Sequence, residues 1–111
     1  MSAGRADDPA SEDAEDPAEP SGLAAALEVV GQRWALLVVA ELLGGSRRFG
    51  DLQRALGAPT NILSTRLREL QAAGLVYREP MAHNVLAYSL TSRGRALRGP
   101  IEALARWGAG G

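Results

Sequence analysis

Cysteine is absent from this 111-residue chain. Disulfides, zinc–thiolate sites and thiol nucleophiles are therefore excluded. Lysine is absent as well, so every basic residue is arginine. Histidine occurs once, at His83, which excludes a histidine-rich metal cluster. Long apolar runs are also missing. The longest, Trp34 to Ala40, falls far short of the roughly 18–20 residues needed to span a bilayer. The N-terminus is acidic rather than a basic patch followed by an apolar stretch, so no secretory signal is expected. A small cytoplasmic protein fits these absences, and the lack of cysteine accords with a reducing compartment. The phosphate-loop and dinucleotide glycine patterns do not occur. Asp51 is the one aspartate beyond the N-terminal segment, and no paired carboxylates stand out. A nucleophile, its base and an orienting group cannot be assembled from this set. An enzyme is not expected, nor a metal or cofactor.

What the chain does have is an uneven charge. The net value of −1 is a sum over two unlike parts. Residues 1–22 hold seven acidic residues against Arg5, together with Pro9, Pro17 and Pro20 and almost no large apolar side chain. Such a segment cannot bury enough surface to offset its ordering entropy, so 1–22 reads as a disordered acidic tail. Residues 23–111 hold 11 arginines against six acids. With 46% hydrophobic residues overall, this part has ordinary globular composition and the length of one domain. A core of that size is modest, so self-association is expected.

Apolar spacing organises the domain. Leu23 to Val30 is helix-forming, and Gly31 punctuates it. Arg33 to Leu43 is apolar nearly all round, which predicts a central helix buried on most sides. Gly44-Gly45-Ser46 stops it. Phe49, Leu52 and Leu56 make one stripe on a short helix closed by Gly57. Thr60 reads as the cap of a helix from Asn61 to Ala73, ended by Gly74. Ile62, Leu63, Leu67 and Leu70 face its core side, while Asn61, Ser64, Thr65 and Arg68 form a polar stripe opposite. The period then shortens: Val76–Glu79 and Val85–Leu90 read as strands joined by a turn, a hairpin. Thr91 caps a last helix through Trp107, in which Pro100 is expected to kink the axis or remove a bond. Trp34 and Phe49 sit on apolar periodicity and are expected in the core. The fold is thus mainly α with a small β-hairpin, the order of a winged helix-turn-helix, in which the helix before the hairpin lies in the DNA major groove.

The polar stripe has side-chain types suited to base edges: Asn to adenine, Arg to guanine, Ser and Thr to either. Asn61, Ser64, Thr65 and Arg68 are the candidates for base contact. Arg47, Arg48, Arg66 and Arg78 are the candidates for phosphate contact, because phosphates supply much of the affinity; Arg66 has a carboxylate as its alternative partner. His83 and Asn84 are the polar groups the wing offers. The same face is also what any solvated helix shows. A winged-helix module that binds a protein partner and no DNA is therefore the competing class.

The strings ALEVVGQRWALLVVAELLGGSRRFGDLQRAL, PTNILSTRLRELQAAGLV and AYSLTSRGRAL resemble the HxlR-type winged-helix regulators of bacteria, from about Ser21 to Trp107. Gly31, Trp34, Arg48-Phe49, Leu63-Ser64-Thr65-Arg66-Leu67, Gly74-Leu75-Val76 and Tyr88-Ser89-Leu90-Thr91 with Gly94 carry the resemblance together. It implies a homodimeric transcription factor, by habit a repressor, binding double-stranded DNA. The dimer would form through the first and last helices, here Leu23–Val30 and Ser92–Trp107, with Leu23, Leu27, Leu97, Ile101, Leu104 and Trp107 in the interface. Two-fold symmetry would set half-sites roughly 34 Å apart. Many members of that family sense oxidants through a cysteine near the start of the first helix. Ser21 stands at that position, which removes thiol sensing from this chain. Where the family's returning strand often carries a basic residue, this chain has Val85 and Leu86. Two sharper readings stand beside plainer ones: a small-molecule effector bordered by the central helix and Trp34 or Trp107, against a filled core, and an acidic tail that competes with DNA for the arginines, against one that serves solubility alone.

Overall fold

The computed structural model describes residues 21–110. The tail expected over residues 1–22 lies outside the described residues except for its last two. Ser21 and Gly22 belong to the first helix, α1 (Gly22–Val30), where Ser21 is the N-cap and its hydroxyl accepts the Ala24 N–H at 2.9 Å. Helix α1 buries only Val30 within its own chain.

A break of four residues separates α1 from α2 (Ala35–Leu42), and the axes turn through 81° across it. The expected central helix therefore begins two residues late. The cause is Trp34, whose backbone is left-handed at φ 80°, a conformation that cannot continue a right-handed helix. Helix α2 buries Ala35, Val38, Val39 and Leu42 as expected, but Leu37 stays 53% exposed. One side of the central helix thus has no cover from its own chain. Among the described residues no single helix is long and apolar enough to cross a membrane.

Helix α3 (Phe49–Leu56) packs on α2, and a three-residue turn through buried Ala58 leads to α4 (Thr60–Ala72). Pro59, not Thr60, occupies the N-cap of α4. Thr60 is already helical, and its hydroxyl accepts from the Gln53 amide of α3, which staples the two helices across their turn. The other end of α4 closes as its sequence suggests. Gly74 takes φ 78°, and the N–H groups of Gly74 and Leu75 bond the carbonyls of Gln71 and Leu70, both at 3.0 Å. That pattern of paired bonds satisfies the last carbonyls of the helix and turns the chain sharply.

Strands β1 (Val76–Pro80) and β2 (Leu86–Leu90) pair antiparallel, with Val76 opposite Leu90 and Pro80 opposite Leu86. The backbone of Arg47 exchanges two bonds with Tyr88, at 3.0 and 2.8 Å, fastening the hairpin to the chain just before α3. Ser46, Ser89 and Glu79 make a hydroxyl–hydroxyl–carboxylate chain beside it.

The expected last helix is two: α5 (Ser92–Arg95) and α6 (Arg98–Gly108). Thr91 caps α5, accepting the Gly94 N–H at 3.1 Å and donating to the Gly74 carbonyl at 2.6 Å. The break at Ala96-Leu97 resolves the Pro100 problem. Pro100 falls in the first turn of α6, where backbone N–H groups have no helical partner to lose. The core joins Val38 and Val39, Leu52, Leu63, Leu67 and Leu70, all fully buried, with Leu75, Val76 and Leu90 behind them. Trp34 and Phe49 pack against this core half-buried.

Candidate nucleic-acid interface

Core packing fixes which side of α4 faces out. Leu63, Leu67 and Leu70 point inward, so Asn61, Ser64, Thr65 and Arg68 share the opposite side. Asn61 and Arg68 are exposed, and Ser64 and Thr65 are half-buried. The four form one connected row. Thr65 donates its hydroxyl to the Asn61 carbonyl at 2.9 Å, and Arg68 reaches back to Ser64 at 3.3 Å and Thr65 at 3.4 Å. The guanidinium is thereby laid along the stripe with most of its donors unused.

The four arginines assigned to phosphates have unlike surroundings. Arg48 is exposed and donates from Nε to Asp51 Oδ2 at 3.2 Å; Asp51 also holds Arg54. The hydrogen bond from Arg48, aided by the charges of Arg48 and Arg54, holds the Asp51 carboxyl below its ordinary pKa. Arg47 pairs with Glu41 at 3.3 Å, and its Nε is buried without a partner among the described residues. Arg78 is exposed on β1, opposite Tyr88, with no ion pair among the described residues. Arg66 differs from the rest. Its side chain is 17% exposed and is held by Glu69 and by the Arg33 carbonyl. The carboxylate alternative weighed for it from sequence is the one present.

His83 and Asn84 are exposed at the wing tip, both left-handed, at φ 64° and 61°. Met81 closes that turn by donating to the Val85 carbonyl at 2.6 Å. The wing is more apolar than its returning strand alone suggested: Tyr77 and Met81 join Leu86 as large exposed side chains. Tyr77 and Leu86 fall on opposite faces of the hairpin, because Leu86 shares a face with Tyr88 and Leu90 while Tyr77 pairs with Ser89.

The residues assigned to self-association occupy the other flank. Leu23 and Leu27 on α1 and Leu104 and Trp107 on α6 are exposed, Trp107 by 80%, whereas Leu97 and Ile101 are half-buried against the core. Between α1 and α5 runs an apolar groove of about 350 Å³, lined by Ala25, Ala26, Val29, Leu75 and Leu97 with Arg93 beside them. Trp34 and Trp107, expected to border such a cavity, are not in its lining.

A helix-turn-helix presenting a polar stripe, backed by a fastened two-stranded wing, defines a winged-helix protein of the transcription-regulator class. The family model described as HxlR-like helix-turn-helix matches residues 29–110. An uncharacterized HTH-type transcriptional regulator of Mycobacterium tuberculosis is 45% identical over 92 residues, which are 81% of this chain and 58% of that protein. The chain thus spans little more than half the length of that relative. The crystal structure of the HTH-type regulator YtcD superimposes with a TM-score of 0.76 at 32% identity, over 82% of this chain and 96% of that one. The redox regulator HypR, in its oxidized form, gives 0.74 at 29% identity, over 82% and 97%. The chain belongs to the HxlR-like helix-turn-helix family, whose members are transcriptional regulators rather than enzymes.

Proposed function

We propose that this chain is a sequence-specific DNA-binding regulator, a repressor, acting as a homodimer on a two-fold operator. The observation that carries this is the connected row Asn61–Ser64–Thr65–Arg68, held outward by the core side of α4. Those four side chains read base edges in the major groove. Arg48 and Arg78 hold phosphates on either side, with Arg47 nearer the hairpin, and His83 and Asn84 lie over the backbone from the wing. Arg66 is left out of the phosphate set because its side chain is largely buried and its Nε and Nη1 bond within the chain.

Dimerisation through α1 and α6 is supported by their exposure. A nine-residue helix burying one side chain is too short to persist on intrinsic propensity. A second copy covering Leu23, Leu27, Leu104 and Trp107 supplies the missing burial. Selection of bound sequences from random DNA by the purified full chain tests the proposal. A two-fold motif with half-sites roughly one helical turn apart is the expected outcome. Failure to enrich any sequence would sink it.

A second reading concerns the signal. With no cysteine, the chain cannot report oxidation through a thiol. The groove between α1 and α5 favours a small apolar effector with an anionic group facing Arg93. Titrating aromatic carboxylates while following α1 resonances by NMR tests it, and saturable shifts confined to that groove are expected.

A further inference from the structure

We infer that Arg66 is a positioning residue, which locks the DNA-facing helix to the break between α1 and α2. This rests on the DNA-binding function proposed above. Arg66 lies on α4 between two members of the polar stripe, Thr65 and Arg68, yet points away from them. Its Nη1 donates to Glu69 Oε1 at 2.8 Å, and its Nε donates to the Arg33 carbonyl at 3.0 Å. One planar guanidinium thus grips its own helix and a carbonyl 33 residues earlier.

That carbonyl belongs to the break at which the chain turns by 81°. Trp34, the next residue, holds the left-handed backbone that makes the turn, and the Arg33 guanidinium lies 5.3 Å from the centre of its ring. Helix α1 also comes against α4 directly. The break that orients α1 is therefore tied at one point to α4, the helix whose outward side its buried leucines set. In a dimer held by α1, that point sets the direction in which each polar stripe faces. A phosphate ligand at this position would need an exposed guanidinium, and the Arg66 side chain is only 17% exposed.

Arginine and lysine separate the two roles. Lysine keeps the charge and the stem but places a methylene where Nε donates to Arg33. A lysine still serves a phosphate as a point charge. The experiment measures binding of full-length wild type, Arg66→Lys, Arg66→Met and Arg68→Ala by fluorescence anisotropy across a salt series. Two duplexes of equal length are used: one selected by the wild type from a random pool, one of random sequence.

Arg66→Lys and Arg66→Met, folded by circular dichroism, are expected to bind the random duplex like wild type and the selected one at least about fivefold more weakly. Their salt slopes are expected to match wild type, because no phosphate contact is lost; each such contact contributes about 0.9 to the slope. A role confined to stability would lower the melting temperature and leave the preference of the folded protein intact, which would overturn the inference. So would a slope reduced by about one, with both duplexes weakened alike in Arg66→Met and restored in Arg66→Lys. If Arg66→Met does not fold, Arg66→Lys decides by the same criteria. A wild type that selects no duplex, with Arg68→Ala indistinguishable from it, would count against the DNA-binding function itself.

Discussion

Gly94 passes so close to Leu75 that a Cβ built on it would stand 2.2 Å from the Leu75 carbonyl oxygen. The contact brings α5 against the start of β1, where Thr91 N–H also bonds the same carbonyl at 3.0 Å. Alanine at 94 must push these two segments apart. Gly94→Ala is expected to cost about 1–3 kcal/mol, the usual range for overpacking a tight site. For a domain of this size each kcal/mol lowers the melting temperature by roughly 4–8 °C. Thermal unfolding followed by circular dichroism checks this, and a melting temperature at or above wild type would contradict it.

Arg68 is the exposed C-terminal end of the polar stripe. Arg68→Ala is expected to weaken binding to the selected operator by about 1–3 kcal/mol and to relax preference at one base position. Competition with operators substituted one base pair at a time reads both effects. Unchanged affinity together with an unchanged preference at every position would remove Arg68 from the base-reading set.

Asp51 restrains two arginines. Asp51→Asn releases Arg48 and Arg54, so random-sequence DNA is expected to bind more tightly and with a steeper salt dependence. Stability moves the other way. The folded pKa of Asp51 lies below its unfolded value, so its ion pairs stabilise the protein above the unfolded pKa. They stop doing so as pH falls through the lowered folded value. Asp51→Asn is therefore expected to melt lower than wild type at pH 7 and to converge with it in acid. A gap in melting temperature that does not narrow as the pH falls below the ordinary aspartate range would be the wrong result.

Leu27 and Leu104 are exposed in the single chain, so replacing them leaves the core intact. Leu27→Glu and Leu104→Glu are each expected to shift the protein towards monomer in sedimentation velocity. Operator affinity is expected to drop by about a hundredfold or more, because two linked half-site contacts become one. Dimers as stable as wild type in both variants would place the interface elsewhere.

Local rules made much of this fold legible. Glycine after an apolar helix marked the ends at Gly57 and Gly74, and a change of period marked the hairpin. The leucine spacing of α4 suffices to put its polar stripe on the side away from the core. What escaped depends on contacts distant in sequence or on single backbone angles. Nothing local to Trp34 announces a left-handed φ, which is uncommon for a bulky side chain. Pro100 was legible as a problem, but its solution lies in a break at Ala96-Leu97 that shifts the proline into a first turn. The engagement of Arg66 needs Arg33 brought beside α4 by the fold. The grip of Asp51 on Arg48 and Arg54, by contrast, follows helix spacing and was open to sequence reasoning. Four acidic residues of the domain, Glu41, Asp51, Glu69 and Glu102, pair with five arginines, Asp51 holding two. The arginine count therefore overstates the cations free to meet phosphate.

The meagre burial of α1 within its own chain carries a consequence for dosage. In the homodimer proposed above, α1 is completed by a second copy and governed by mass action, so its order depends on how much protein is present. Dilution would loosen α1, and with it the break that Arg66 grips on α4. At low concentration the chain would lose its choice of sequence before it lost its charge. Abundance in the cell would then set how selectively the regulator binds as well as how often.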